Sequence, residues 1–322
     1  MSEAPLDLPR PLPGTLGSLR PPLLNLLLFV LTAASAFVTG SLWTESRLPP
    51  PTPAEATRHG LAFSGALLAI LLAHEMGHFV LARRHGVDAT WPFFIPAPLL
   101  SLIGTLGAVI RLRSAPRTRR ALVDIGAAGP IAGFLVTIPV LVIGLRLSPI
   151  VPAEGPFQHW SLWDSIVTFL HEGHFLRLRE GFELGRPLGM TLLENWVVDI
   201  PAGRDLALHP VAVAGWFGLL LTALNLLPLG QLDGGHCLYA ASPRLHRWAG
   251  APFSALLLAL GVFTPFLGWA IWGLITGIFL NQHPPVVESE PRLSPGRRAV
   301  LALSLVIFVL SFTPVPLVPL AG

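Results

Sequence analysis

Between residues 23 and 43 the chain carries no charged side chain, and apolar segments of comparable length return at 61–82, 121–147, 211–227, 251–280 and 299–315. About 20 apolar residues in a helix span the roughly 30 Å of hydrocarbon in a bilayer. Backbone polar groups at that depth must be satisfied internally, so helices are the natural solution for such segments. This repetition restricts the fold more than any single motif does. It points to an all-α polytopic membrane protein with six to seven transmembrane helices. Composition leads the same way: of 322 residues, 52% are hydrophobic and 12% charged, about half the roughly 25% charge usual in soluble domains. Too little polar surface remains to cover a water-soluble globule. The lone Cys237 allows no internal disulfide, and a formal charge of +3 without a basic stripe argues against a nucleic-acid partner. The lipid bilayer is the partner this composition implies.

The segments divide the chain into a polar N-terminal cytoplasmic arm (1–22), transmembrane helices 1–3 (23–147), a polar extracytoplasmic insert (148–210) and the C-terminal transmembrane helices (211–322). No small-residue cleavage site follows the arm, so the first segment reads as an anchor rather than a removed signal peptide; the short arm does not read as a transit peptide, and a bacterial inner membrane is expected. The stretch 251–280 would be about 45 Å long as one helix, and Pro265 sits at its middle. Two short helices turning near Thr264 and Pro265 are therefore expected. Residues 91–112 are apolar but hold Pro92, Pro96, Pro98, Gly104 and Gly107, which suggests a re-entrant or β-hairpin segment shielded by neighbouring helices. Arg83, Arg84, Arg111, Arg113, Arg117, Arg119 and Arg120 against one Asp88 place the loop between the second and third segments in the cytoplasm. By the same rule the arginines at 244, 247, 292, 297 and 298 are topology signals, and Asp124 and Arg146 reach the interface by snorkelling.

The second segment contains His74-Glu75-Met76-Gly77-His78. A spacing of four places both imidazoles on one helix face, about a turn apart, where both can reach one metal ion with Glu75 beside them. Ionisable groups inside a membrane helix are expensive and functional by default. Two histidines leave a zinc site short of a protein ligand. Asp233 is the candidate, in Asn225-Leu-Leu-Pro228-Leu-Gly-Gln-Leu-Asp233-Gly-Gly-His236. Both motifs fall near the cytoplasmic leaflet. Pro228 is expected to stop the fourth helix, and Gly234-Gly235 to let an unwound backbone turn the carboxylate inward.

These paired motifs resemble the site-2 protease family of intramembrane zinc metalloproteases. Gly104-Thr105-Leu106-Gly107 is similar to a segment that family carries between its two motif helices. Gly126-Ala-Ala-Gly-Pro130, His283-Pro-Pro-Val and Phe312-Thr-Pro-Val-Pro resemble the branch without a PDZ domain, which includes plastid proteins. The resemblance covers roughly residues 60–147 and 209–316. It implies that His74, His78 and Asp233 bind Zn2+, that Glu75 is the catalytic acid/base, and that Asn225 holds the substrate or oxyanion. It also implies a membrane-protein substrate with a transmembrane segment, cut within or next to that segment. A substrate helix must unwind before it is cut. An extended segment could then add to the edge of the 91–112 hairpin, with Gly104, Thr105 and Gly107 as substrate-binding positions.

The alternative is a catalytically inactive membrane scaffold or a metal transporter. All four positions of the motifs are intact, and a transporter would spread polar groups over several helices. His171 and His174 are three apart within the polar insert and read as surface residues. His236 adjoins Asp233 and could support the ligands from behind, though it reads first as a turn residue, and His59, His85, His159, His209, His246 and His283 read as loop or helix-end residues without special roles.

Overall fold

The computed structural model describes residues 22–42, 51–98, 100–153, 161–172, 178–279, 283, 284, 286 and 293–321. The expected arm at 1–22 lies almost wholly outside the described residues, as do His159, His174 and Leu280. Helices α1 (Leu23–Leu42), α2 (Pro53–Arg84) and α3 (Arg119–Leu147) are long and apolar enough to cross a membrane. No other described helix meets both conditions, since α6 (Pro210–Asn225) and α9 (Gly268–Phe279) are shorter apolar helices. The structure is mostly helical, as expected, and among the described residues three helices have the length and apolar character to span a bilayer on their own.

The helix ends follow from local chemistry. Thr52 caps α2 through a capping box with Glu55, and Pro53 occupies its first turn, where its missing N–H costs nothing. At 32 residues α2 extends about 48 Å, starting eight residues before the apolar run. Helix α6 ends at Asn225, two residues short of the expected boundary. The 251–280 stretch is two helices, α8 (Pro243–Phe263) and α9, with the turn at 264–267 as expected. Helix α8 begins earlier than the apolar run, so Arg244 and Arg247 lie in its first turns and not in a loop. A short helix α7 (Asp233–Ala241) precedes it, and α10 (Pro295–Ser311) follows.

Helices α2, α3 and α6 pack together around Phe63, Leu67, Leu71, Leu141, Leu145, Trp216 and Leu219, all buried. The hairpin expected at 91–112 is present: β1 (Phe93–Pro96) and β2 (Thr105–Val109) pair antiparallel and rest on α1 and α2. Asn25, buried in α1, donates to the carbonyls of Trp91 and Pro92 and ties the hairpin entrance to the first helix.

The segment 148–210 is not a featureless polar insert. It holds β3 (Ile150–Pro152), paired with β5 (Arg204–Leu206), helices α4 (Leu162–Glu172) and α5 (Leu188–Val197), and β4 (Leu178–Leu184), which pairs with β6 (Leu317–Ala321). Met190 and Leu206 join the main apolar core, and the Trp216 indole donates to the Gly185 carbonyl. These strands escaped the sequence reading because β4 pairs with β6 across more than a hundred residues, beyond the reach of local pattern.

The exterior reverses the usual pattern. In α1 the buried positions are Asn25, Thr32, Ser35, Ala36 and Gly40, whereas Leu24, Leu26, Leu27, Val30 and Leu31 are exposed. In α10 Ser304, Ile307 and Ser311 are buried while Leu303, Leu305, Val306 and Val309 face outward. Small and polar residues inward with large apolar residues outward suit a hydrocarbon solvent. The protein is an integral membrane protein.

Candidate metal centre

The face of α2 that carries His74 and His78 is pressed against α3, and the contact depends on missing side chains. A Cβ on Gly129 would stand 2.0 Å from His78 Nε2, and one on Gly77 would stand 2.4 Å from the Ala128 carbonyl oxygen. Glycine at these positions lets the two helices close until His78 Nδ1 lies 2.7 Å from the Ile125 carbonyl oxygen. A carbonyl only accepts, so the proton sits on Nδ1 and Nε2 is left with its lone pair for a metal.

Asp233 is the first residue of α7, at the end of the loop that follows α6. Leu227 and Leu229 in that loop are fully buried against Leu257 and Trp269, and His246 Nε2 donates to the Gly230 carbonyl at 3.0 Å. The sequence suggested an unwound backbone at Gly234-Gly235. Both residues are instead helical, in the first turn of α7. Their role is close approach: Cβ atoms there would lie 2.0 Å from the Leu226 carbonyl oxygen and 2.4 Å from that of Gly230. The loop is thus folded tightly onto the start of α7, which carries the Asp233 carboxylate to α2.

The three donor groups converge. His74 Nε2 and His78 Nε2 are 3.1 Å apart, and Asp233 Oδ2 lies 3.4 and 3.2 Å from them. Donors about 2.0–2.1 Å from one tetrahedral zinc ion stand roughly 3.3 Å from each other, so two imidazoles and a carboxylate at these separations fit such an ion. Among the described residues they form the one group of three or more His, Cys, Asp or Glu able to hold a metal. They line a cavity of ≈ 500 Å³ together with Glu75, Asn225 and residues 108–110 and 112–116. Glu75 is buried beside them.

The structure therefore brings His74, Glu75, His78, Asn225 and Asp233 to one cavity. It does not bring Gly104 and Thr105 there. Gly104, at φ +74°, packs on α1, where a Cβ would lie 2.6 Å from the Ser35 carbonyl oxygen. Thr105 is buried inside the hairpin, donating to the Ile95 carbonyl and accepting from the Gly107 N–H. Gly107, at φ +96°, has no atom within 4 Å of where its Cβ would be. Neither Gly104, Thr105 nor Gly107 lines the cavity, whereas Ala108, Val109 and Ile110 do.

Three supporting features escaped the sequence reading. Asp124 is paired: it accepts from Arg297 through Nε at 3.0 and 3.1 Å and Nη2 at 2.6 Å, and His85 Nε2 lies 2.9 Å away. Arg297 and Arg119 are more than topology signals, since Arg119 donates to the Ala240 and Ala241 carbonyls at the end of α7. His236 and His283, set aside as a turn and a loop residue, face each other across the cavity wall at 2.8 Å. The motifs that flagged the Gly126–Pro130 and His283 segments were the available signal, but not for these contacts.

Comparison with known proteins adds the following. The model of a family described as peptidase family M50 matches residues 62–267. A rice protein (Oryza sativa subsp. japonica) named "Probable zinc metalloprotease EGY1, chloroplastic" is 31% identical over 311 residues, which is 90% of this chain and 50% of its own. The Arabidopsis thaliana protein of that name is 29% identical over 309 residues, covering 90% and 52%. The Arabidopsis thaliana "Probable zinc metalloprotease EGY2, chloroplastic" is 27% identical over 260 residues, covering 79% and 41%. The chain thus spans about half the length of the curated relatives it matches. No solved structure matches the chain.

Proposed function

This chain belongs to peptidase family M50, the site-2 protease family, and on that premise we propose that it is an intramembrane zinc metalloendopeptidase. Its substrates are membrane proteins cut within or next to a transmembrane segment. The observation that carries the reading is the triangle of His74, His78 and Asp233 beside a buried Glu75 in one cavity. The relatives' names supply the metal. When bound, zinc supplies the Lewis acidity that makes a water molecule acidic enough to attack near neutral pH.

The residues then divide the work. Ile125 holds His78 in the ligating tautomer, and Asp233 brings the one negative charge to the ligand set. Glu75 takes a proton from the attacking water as its oxygen bonds to the scissile carbonyl carbon, then delivers that proton to the amide nitrogen as the C–N bond breaks. Asn225 donates from its side-chain amide to the carbonyl oxygen as negative charge develops there. The outer edge of β2, unpaired among the described strands, accepts the unwound substrate as an added strand. Ala108, Val109 and Ile110 carry that edge into the cavity. Gly107 lies at the same edge, Gly104 seats the hairpin on α1, and Thr105 fixes its turn, so all three support substrate binding.

In this reading α6, the α8–α9 pair and α10 complete the six to seven transmembrane helices, with the centre near the cytoplasmic leaflet and residues 148–210 outside. The bilayer is the second partner. The relatives are named chloroplastic, which lends no support to the expectation of a bacterial inner membrane. Nothing in the site favours a scaffold or a transporter. The test is cleavage of a single-span membrane peptide with a Pro in its helix by the full chain in proteoliposomes. Wild type should cut it, and Glu75→Gln should retain zinc yet lose at least about 100-fold in rate. Equal cleavage by both would refute the reading.

A further inference from the structure

His236 and His283 line the cavity of the metal centre but belong to none of the roles above. His236 stands one turn beyond Asp233 on α7. Its Nδ1 is 2.8 Å from His283 Nε2, and His283 Nδ1 is 2.7 Å from the Pro284 carbonyl oxygen. The carbonyl can only accept, so His283 is protonated at Nδ1 and offers Nε2 as an acceptor. His236 must then donate from Nδ1, which leaves its Nε2 with a lone pair and no proton.

The pair is held by Tyr239, His246 and α3. The His283 ring stacks on Tyr239 at 4.0 Å and 13°, and His236 meets it edge-on at 5.0 Å and 89°. His246, fixed by its bond to Gly230, stands edge-on to both Tyr239 and His283. On the α3 side a Cβ at residue 126 would come within 3.0 Å of the His236 Cβ, and residue 126 is glycine. An acceptor nitrogen held this firmly loses little freedom when it takes a hydrogen bond.

We propose that His236 is a substrate-positioning residue whose Nε2 accepts a backbone N–H of the substrate segment drawn into the cavity, with His283 setting its tautomer. The proposal rests on the proteolytic reading. An unwound segment presents N–H groups alternately to its two sides. The edge of β2 serves one side, and the α7 side of the cavity must supply acceptors for the other. Asp233 is committed to the metal triangle and Glu75 to the attacking water, whereas His236 is committed to neither.

The experiment uses the same proteoliposomes and Pro-containing peptide, with zinc content measured for every variant. His236→Leu is expected to retain zinc and raise KM about 10-fold, the scale of a buried N–H left without a partner, with a smaller change in kcat. His236→Gln, which keeps an acceptor at a similar reach, should recover most of the loss. His283→Phe keeps the stack on Tyr239 but removes the acceptor, and should fall between wild type and His236→Leu. A peptide N-methylated at the paired amide should bind wild type and His236→Leu equally. A wild-type KM in His236→Leu, or loss of zinc from that variant, would overturn the proposal. A wild type that binds zinc and cuts nothing would overturn the proteolytic reading and this proposal with it, so the two failures are distinct.

Discussion

A missing methyl group decides whether His78 can reach the metal position. Its Nε2 occupies space that a Cβ at residue 129 would enter to 2.0 Å, and the atom it would strike is the proposed donor, held in place by Ile125. Gly129→Ala is therefore expected to weaken zinc binding by about 10- to 100-fold, the scale seen when support around a ligand is lost. Gly65→Ala in α2, where nothing lies within 4 Å of the new atom, should bind zinc as wild type does. Competition with a chelator of known affinity measures both. The convergence of the proposed ligands was legible in the sequence because it is written in spacing: i and i+4 on one helix for His74 and His78, and a carboxylate at the matching depth for Asp233. Gly129 was not legible as a support, because its role depends on which face of α3 turns towards α2. The role of His283 was hidden for a like reason, as its contact with His236 joins segments 47 residues apart.

At the scale of elements, the centre depends on α3 being held at both of its neighbours. Arg297 at the start of α10 and His85 after α2 meet on Asp124, one residue before the carbonyl that orients His78. Removing the carboxylate by Asp124→Ala leaves Arg297 and His85 without their partner. It should cost about 1–3 kcal/mol, the range for a charge-assisted bond with a partly buried partner left behind. Thermal unfolding in detergent reads this directly, and an unchanged midpoint would deny Asp124 that role. The hairpin makes a second prediction at this scale. Ala108→Pro blocks backbone bonding along β2, so cleavage should fall at least about 10-fold while zinc is retained; undiminished cleavage would remove β2 from the substrate path. The hairpin was readable because prolines and glycines interrupt an apolar stretch. The break at 264–267 was readable because one helix of that length outruns a bilayer. The β4–β6 pair and the Asp124–Arg297 bond were not, since both join segments more than a hundred residues apart.

Taken whole, the molecule solves two problems with one arrangement. Its outward leucines and valines suit lipid, and its inward glycines and small polar residues let α2, α3 and α6 approach closely enough to bury a charged centre among them. The apolar character and several helix positions were plain from the sequence. The packing of residues 184–208 against the core was not, because a polar segment gives no hint of the tertiary surface it will cover. The central claim is that α2 and α7, far apart in the chain, together make one metal centre. Zinc per molecule in the purified full chain tests it most directly, with His74→Ala and Asp233→Ala prepared in parallel. The account predicts about one zinc in the wild type, and its loss or sharp reduction in each folded variant. A folded wild type without zinc, or zinc undiminished in both variants, would contradict it.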